Sequence, residues 1–203
     1  MVKNEKYSSA LTGSGFMMYE FKQIISLKLE GLLDKEIRAK VLDDNIFQYK
    51  TITGIQRAFP YLLKRVNTLD ETLMQMVLDE DIETAKVINL YSIMKADRLF
   101  NEFMQEVVKE KVEQPGEVLE KKDINVFFAD KAEQVEFINN LAESTVARLK
   151  AQYSTILLEA GMLKDLKTRE IQRIVMDEQL TRYLIDIGDR LYVEALGENE
   201  GIS

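Results

Sequence analysis

An all-α fold is what this sequence predicts, and three observations carry the prediction. Apolar residues recur at three- and four-residue steps through almost the whole chain, the period that gathers them on one helical face. Only two prolines interrupt that pattern. The periodic runs also tend to end at residues that stop a helix, Gly31 and Gly161 among them. With 203 residues, 46% of them apolar, the chain is long enough to bury a real core, as one domain or as small units sharing an interface.

Residues 1–14 are polar and Ser-rich, with Gly13 and Gly15 around Ser14, so a flexible lead-in is expected. A first helix comes next over 16–30, with Phe16, Tyr19, Ile24 and Leu27 at helical spacing and Gly31 closing it. Asp34 is the expected cap of a second helix to Leu42. A third begins near Thr51. Ile52, Ile55, Phe59, Leu62 and Val66 form its inner face, while Thr53, Gln56, Arg57, Lys64 and Arg65 point outward behind Lys50. Pro60 lacks a donor for the helical ladder and is expected to kink or break this helix near Ala58.

The middle of the chain reads as scaffold: helices over 82–94 and 96–112, then Pro115 and Gly116 as a boundary. The acids Asp79, Glu80, Asp81 and Glu83 precede a helix, where they serve its dipole more simply than they hold a cation. A short helix over 121–128 begins with Lys121 and Lys122. An amphipathic segment over 131–138 and a turn at Asn139 and Asn140, able to take positive φ, lead into the longest helix. Asn140 is its expected cap, with Glu143 three residues on.

That helix carries two distinct faces. Ala142, Val146, Leu149, Tyr153, Ile156 and Leu157 pack inward, whereas Ser144, Thr145, Arg148, Gln152 and Thr155 share the polar side, with Lys150 near it. Hydroxyls, one guanidinium and one carboxamide without an acid suit phosphates and base edges. After Gly161, a loop with Lys164, Lys167 and Arg169 runs into β-branched residues near Ile171, Arg173 and Val175, which predicts a two-strand wing over 163–175. A last helical stretch spans 178–196, and the acidic tail beyond Gly197 is expected to fray.

Short helix, turn, long helix is the order of a helix-turn-helix. The expected architecture is therefore a compact helical protein with two helix-turn-helix-like units, the C-terminal one winged by a short β-hairpin. Three segments are expected: 1–67, a central acidic scaffold over 68–116, and 117–203.

The formal net charge of −8 argues at first sight against nucleic acid, but the charge is unevenly distributed. Residues 1–67 hold 11 Lys plus Arg against 7 acids, and 68–120 hold 5 against 13. Residues 144–175 hold 6 against 3. Phosphate contacts depend on such local excess more than on the mean.

Neither Cys nor His occurs, which removes disulfides, thiolate nucleophiles, imidazole bases and ordinary zinc sites. No Gly-rich phosphate loop is present. The expectation is a non-enzyme without metal or cofactor. No run nears the roughly twenty apolar residues that span a bilayer, and no signal peptide opens the chain, so a cytoplasmic protein without a membrane partner is expected.

Several strings are more specific than period. Tyr7-Ser8-Ser9-Ala10-Leu11-Thr12, Phe47-Gln48-Tyr49-Lys50-Thr51, the run 88–100 from Ile88-Asn89-Leu90-Tyr91 to Arg98-Leu99-Phe100, and Lys122-Asp123-Ile124-Asn125-Val126-Phe127-Phe128 resemble the BrxA family of bacteriophage exclusion (BREX) systems. Ser144-Thr145-Val146-Ala147-Arg148-Leu149 and Glu159-Ala160-Gly161-Met162-Leu163 continue the likeness. The resemblance implies a small all-helical, non-catalytic component of an antiphage defence system that binds double-stranded DNA and works with other subunits. It also implies Trp-Ser before the long helix, where this chain has Leu141-Ala142.

Two functions stay open at this level. One is a DNA-binding subunit using 144–152, the wing bases and the 53–65 helix. The other is a protein-interaction scaffold docking through its acidic middle third.

Overall fold

The computed structural model describes residues 6–114 and 116–197. Among these residues the regular structure is helical throughout, with no strand. The fraying expected beyond Gly197, and Pro115 of the expected boundary, lie outside the described residues.

Helix α1 (Met18–Leu29) ends as its sequence dictates. Gly31 takes φ +87°, its N–H bonds Lys28 O at 2.9 Å, and Leu32 N–H bonds Leu27 O at 3.1 Å, a Schellman stop. In α2 (Asp34–Leu42), Asp34 is the first helical residue and not the cap. The Glu36 carboxylate instead accepts the Leu33 N–H at 2.8 Å, and Asp34 pairs with Lys28.

Helix α3 (Ile52–Val66) runs unbroken through Pro60, so of the expected kink or break the break does not occur. Pro60 is exposed, so water can reach the carbonyl it leaves unbonded, while Ile55, Phe59, Leu62 and Val66 hold the helix to the core. Asp70 caps α4 (Glu71–Asp79) by accepting Leu73 N–H at 2.9 Å. Asp81 caps α5 (Ile82–Ala96) through Thr84 N–H at 2.7 Å. The acids before α5 thus act at its start.

Helix α5 is buried on nearly all sides and packs on α1, α3, α4 and α6, so its residues need no polar face. Asp97 ends it and caps α6 (Arg98–Phe103), accepting Phe100 N–H at 2.9 Å. The chain continues through a π turn, Met104–Val108, into α7 (Lys109–Val112). Beyond it lie α8 (Lys121–Gln134), α9 (Glu136–Asn139), α10 (Glu143–Glu159), α11 (Glu178–Asp186) and α12 (Arg190–Ala195). Gly188, at φ +88°, lies in the turn that divides the last expected helix into α11 and α12.

The expected wing hairpin is not formed. Backbone pairing there is confined to isolated antiparallel bridges, Leu163 with Ile171 within 162–172 and Val118 with Glu170 between that segment and 117–119. Asp165 explains the irregular path: its carboxylate accepts Lys167 N–H and Thr168 N–H, both at 2.7 Å, and the Thr168 hydroxyl at 2.6 Å. Those bonds turn the chain locally in place of extending a ladder.

The buried apolar residues form one connected cluster from Leu11 to Leu196, crossing both expected segment boundaries. An aromatic knot seats α10 in it. Tyr153 meets Phe100 edge-on at 4.9 Å, Phe103 at 5.1 Å and Phe128 at 5.5 Å, and Phe103 meets Phe127 at 5.3 Å. Edge-to-face pairs add about 0.5–1.5 kcal/mol each beyond burial.

The lead-in is docked from Tyr7 onward, against expectation. Leu11 is fully buried, and the turn Ala10–Thr12 packs on α10. Tyr7 donates to Glu102 at 3.0 Å, Ser8 to Asp97 at 3.2 Å. An arginine of α3 holds the backbone just before α1: fully buried Arg65 donates to Gly15 O at 2.8 Å, Phe16 O at 2.9 Å and Asn89 Oδ1. Burial brings its pKa down to about 10, so it stays charged at neutral pH.

Candidate nucleic-acid interface

The C-terminal candidates lie on α8, on α10 and in the segment between α10 and α11. Helix α8 runs past the expected end at Phe128 to Gln134, and Lys131, at 6% exposure, is buried within it. It pairs with Glu102 at 2.8 Å and Glu106 at 2.6 Å. Burial opposes its charge, but the two carboxylates outweigh that and raise its pKa. The break comes at Val135, in extended conformation. Asn139 and Asn140 keep negative φ; the one-turn helix α9 makes the reversal, and no left-handed turn does.

Asn140 ends α9 and does not cap α10. The cap is Ala142, which offers no side-chain acceptor. At the far end the expectation holds: Gly161 sits at φ +83°, and Met162 N–H returns to Leu157 O at 2.8 Å.

Between these ends α10 buries Leu149, Tyr153, Ile156 and Leu157, and exposes Ser144, Ala147, Arg148 and Ala151. From Ser144 to Leu158 it carries no carboxylate. Thr145 is half-buried. Gln152 packs under the N-terminal segment: a Cβ built on Gly15 would lie 2.5 Å from its Nε2. It is therefore a packing residue and not part of the open face. Lys150 donates to Asn125 at 2.8 Å with its ammonium 5.5 Å from the Phe128 ring centroid.

The flanking bases differ in their availability. Lys121 is exposed at the start of α8; Lys122, also exposed, pairs with Glu120 at 2.9 Å. Lys164 faces Glu170 at 3.3 Å, and Lys167 and Arg173 are exposed. Arg169 departs from its expected role. At φ +57° its guanidinium turns back to donate to Leu119 O at 2.6 Å and Ser154 Oγ at 2.9 Å, tying the loop to α10.

In the first candidate unit, Lys50, Thr53 and Arg57 are exposed. Lys64 donates to Ala96 O at 2.8 Å, and Arg65 is buried, so the outward basic row expected of α3 is shorter than its sequence implied. The missed assignments carried a signal. Arg65 lies three residues beyond Leu62 and seven beyond Ala58, and Lys131 three beyond Phe128, steps that put both on inner faces. Nothing local in the sequence foretells the inward turn of Arg169.

Among the described residues no cluster of acids is arranged to hold a metal ion, and no helix is long and apolar enough to cross a membrane.

The family model described as BrxA matches residues 5–188. A Bacillus cereus (strain H3081.97) protein named BREX protein BrxA is 36% identical over 197 residues, covering 97% of this chain and 98% of its own. An Escherichia coli O9:H4 (strain HS) protein of the same name is 21% identical, covering 97% and 92%. A crystal structure of an uncharacterized protein from Magnetospirillum magneticum superposes with TM-score 0.84 at 20% identity, covering 95% of this chain and 98% of that one; at that identity the likeness concerns the fold.

Proposed function

The chain belongs to the BrxA family, and from that membership we propose that it is a non-catalytic, double-stranded DNA-binding component of a bacterial antiphage defence system of the BREX type, acting with other subunits. In this reading α8, α9 and α10 form a helix-turn-helix-like unit, and 162–172 stands where a wing would. The observation that carries it is the outer face of α10: Ser144, Ala147, Arg148 and Ala151 are small or cationic and exposed, and the helix carries no carboxylate between Glu143 at its start and Glu159 at its end. Alanines there let the backbone approach a groove closely, a hydroxyl and a guanidinium serve phosphates and base edges, and past Glu143 no acid up to Leu158 opposes them. In this reading Lys121, beside α10, and the exposed Lys122, Lys164, Lys167 and Arg173 of the same C-terminal half add phosphate contacts. Lys50, Thr53 and Arg57 offer a smaller second patch.

The test is a duplex titration at several salt concentrations. Binding governed by phosphates weakens with log salt at a slope near 0.9 per contact, independent of sequence. Retention that ignores salt, or no retention at low salt, rejects the proposal.

A second reading, a protein-docking scaffold, draws on one feature. The groove of about 620 Å³ between the π turn and α8 is lined by Glu106, Glu110, Glu117, Asp123 and Asp130 against Lys111 and Lys122. That surface fits a basic partner segment, and co-purification with another subunit that survives DNase treatment but is lost on charge reversal of Glu110 and Asp130 favours it.

A further inference from the structure

Beside the C-terminal half of α10 lies an open concavity of about 350 Å³, reaching to the first turn of α8 and the loop after Gly161. Lys121, Lys150 and Arg169 stand around it, and none of its lining residues is an acid. That is unusual for a chain with 35 acids against 27 bases. Many cations elsewhere meet carboxylates, Lys28 with Asp34, Lys95 with Asp189 and Lys109 with Glu194 among them.

Two of the three cations of the concavity, Lys150 and Arg169, are held by neutral groups. Lys150 bonds the Asn125 amide oxygen. Arg169 bonds a carbonyl and the Ser154 hydroxyl. The carboxylate that acts on Arg169 from farther away, Asp123, is itself bonded to Lys111 at 3.0 Å. Positive charge kept in place without a protein counter-charge is what an anion site requires.

The remaining lining is of another kind. Ile124, Ala151 and Leu166 give apolar wall, and Thr155 adds a hydroxyl. Leu166 is 47% exposed, a large apolar side chain at the mouth with no core to serve. The volume falls in the range of small-molecule sites, about 300–1,000 Å³, and a bare phosphate leaves most of it empty.

We propose that this concavity binds a nucleoside monophosphate unit, with the phosphate on Lys121, Lys150 and Arg169 and the base or sugar against Ile124 and Leu166. The unit comes either from a free nucleotide or from the phosphorylated end of a single strand. This site lies beside the exposed face of α10 and does not include Arg148.

The test titrates the full chain with adenosine and thymidine 5′-monophosphates, with binding read from amide chemical shifts. Saturable binding is expected, with shifts at the start of α8, the C-terminal half of α10 and 164–170. Leu166→Ala and Lys121→Ala should each weaken it by about tenfold, the loss of one apolar contact or one charge-assisted bond, while Arg148→Glu leaves it unchanged. A 5′-phosphorylated single-stranded oligomer that displaces the mononucleotide at lower concentration identifies a chain end as the source; one that does not identifies the free nucleotide. Absence of saturable binding overturns the proposal, as does binding insensitive to both Leu166→Ala and Lys121→Ala, or inorganic phosphate binding as tightly as the nucleotides. Duplex binding read on the same variants keeps the two ideas apart: Arg148→Glu bears on the duplex alone, and Leu166→Ala on the pocket alone.

Discussion

Single residues carry more of this protein's design than their positions in the sequence disclose. Arg65 reads as one more base on an outward row, yet it holds the backbone of Gly15 and Phe16 from within the core. Its helical register was legible; the carbonyls it binds, about fifty residues away in sequence, were not. Asp97 is a second case. Burial pushes its pKa up to about 6 although Phe100 N–H and Ser8 stabilise its charge. The folded protein therefore binds a proton on Asp97 more tightly than the unfolded chain, so stability is full below the usual carboxylate range and falls as pH rises through about 6. The span corresponds to about 3 kcal/mol. Asp97→Asn keeps an acceptor for the cap, and the stability difference between parent and variant, measured by urea unfolding, should change between about pH 4 and pH 7 in the variant's favour. A difference independent of pH would remove Asp97 as its source. Ala142 yields a simpler prediction. It caps α10 with no side-chain acceptor, so Ala142→Ser should raise stability by about 1 kcal/mol, measured in the same way.

At the level of elements, the sequence was most informative where period and stop signals agree. Helices α1 and α10 end at Gly31 and Gly161, both with positive φ. No atom lies nearer than 3.9 Å to a Cβ built on Gly161, so Gly161→Ala should cost about 1 kcal/mol from backbone conformation alone, without a packing defect. A loss of several kcal/mol in thermal unfolding would contradict that reading. Sequence was least informative where long-range contacts decide. Pro60 suggested a kinked or broken helix; the break does not occur, because the buried face of α3 holds it whole. In the wing region the β-branched Ile171, Ile174 and Val175 suggested strands; the bonds of Asp165 and Arg169 shape that segment instead. The run 121–138 was expected to divide between 128 and 131 and in fact divides at Val135; the two carboxylates that hold Lys131 inside α8 come from α6 and the π turn, contacts that no local pattern shows.

For the whole molecule, the helical class was readable because the 3.6-residue period runs through nearly all of it, and the family was readable from strings such as 88–100. The single core was not, since Leu11 at one end and Leu196 at the other join one cluster by contacts no local pattern encodes. Charge works at this scale too. A molecule of net charge −8 is repelled by DNA at a distance, so binding must depend on a local face and respond sharply to salt. That makes the outer face of α10 the claim on which the account turns. The direct measurement is duplex binding by fluorescence anisotropy at low salt, comparing the parent with Arg148→Glu and with Arg57→Glu on α3, each checked for unchanged thermal unfolding. Arg148→Glu should weaken binding to every duplex by about tenfold or more, because it removes an attraction and adds a repulsion of about 1–3 kcal/mol together; Arg57→Glu should do less. A folded Arg148→Glu variant that binds duplex as tightly as the parent would contradict the account.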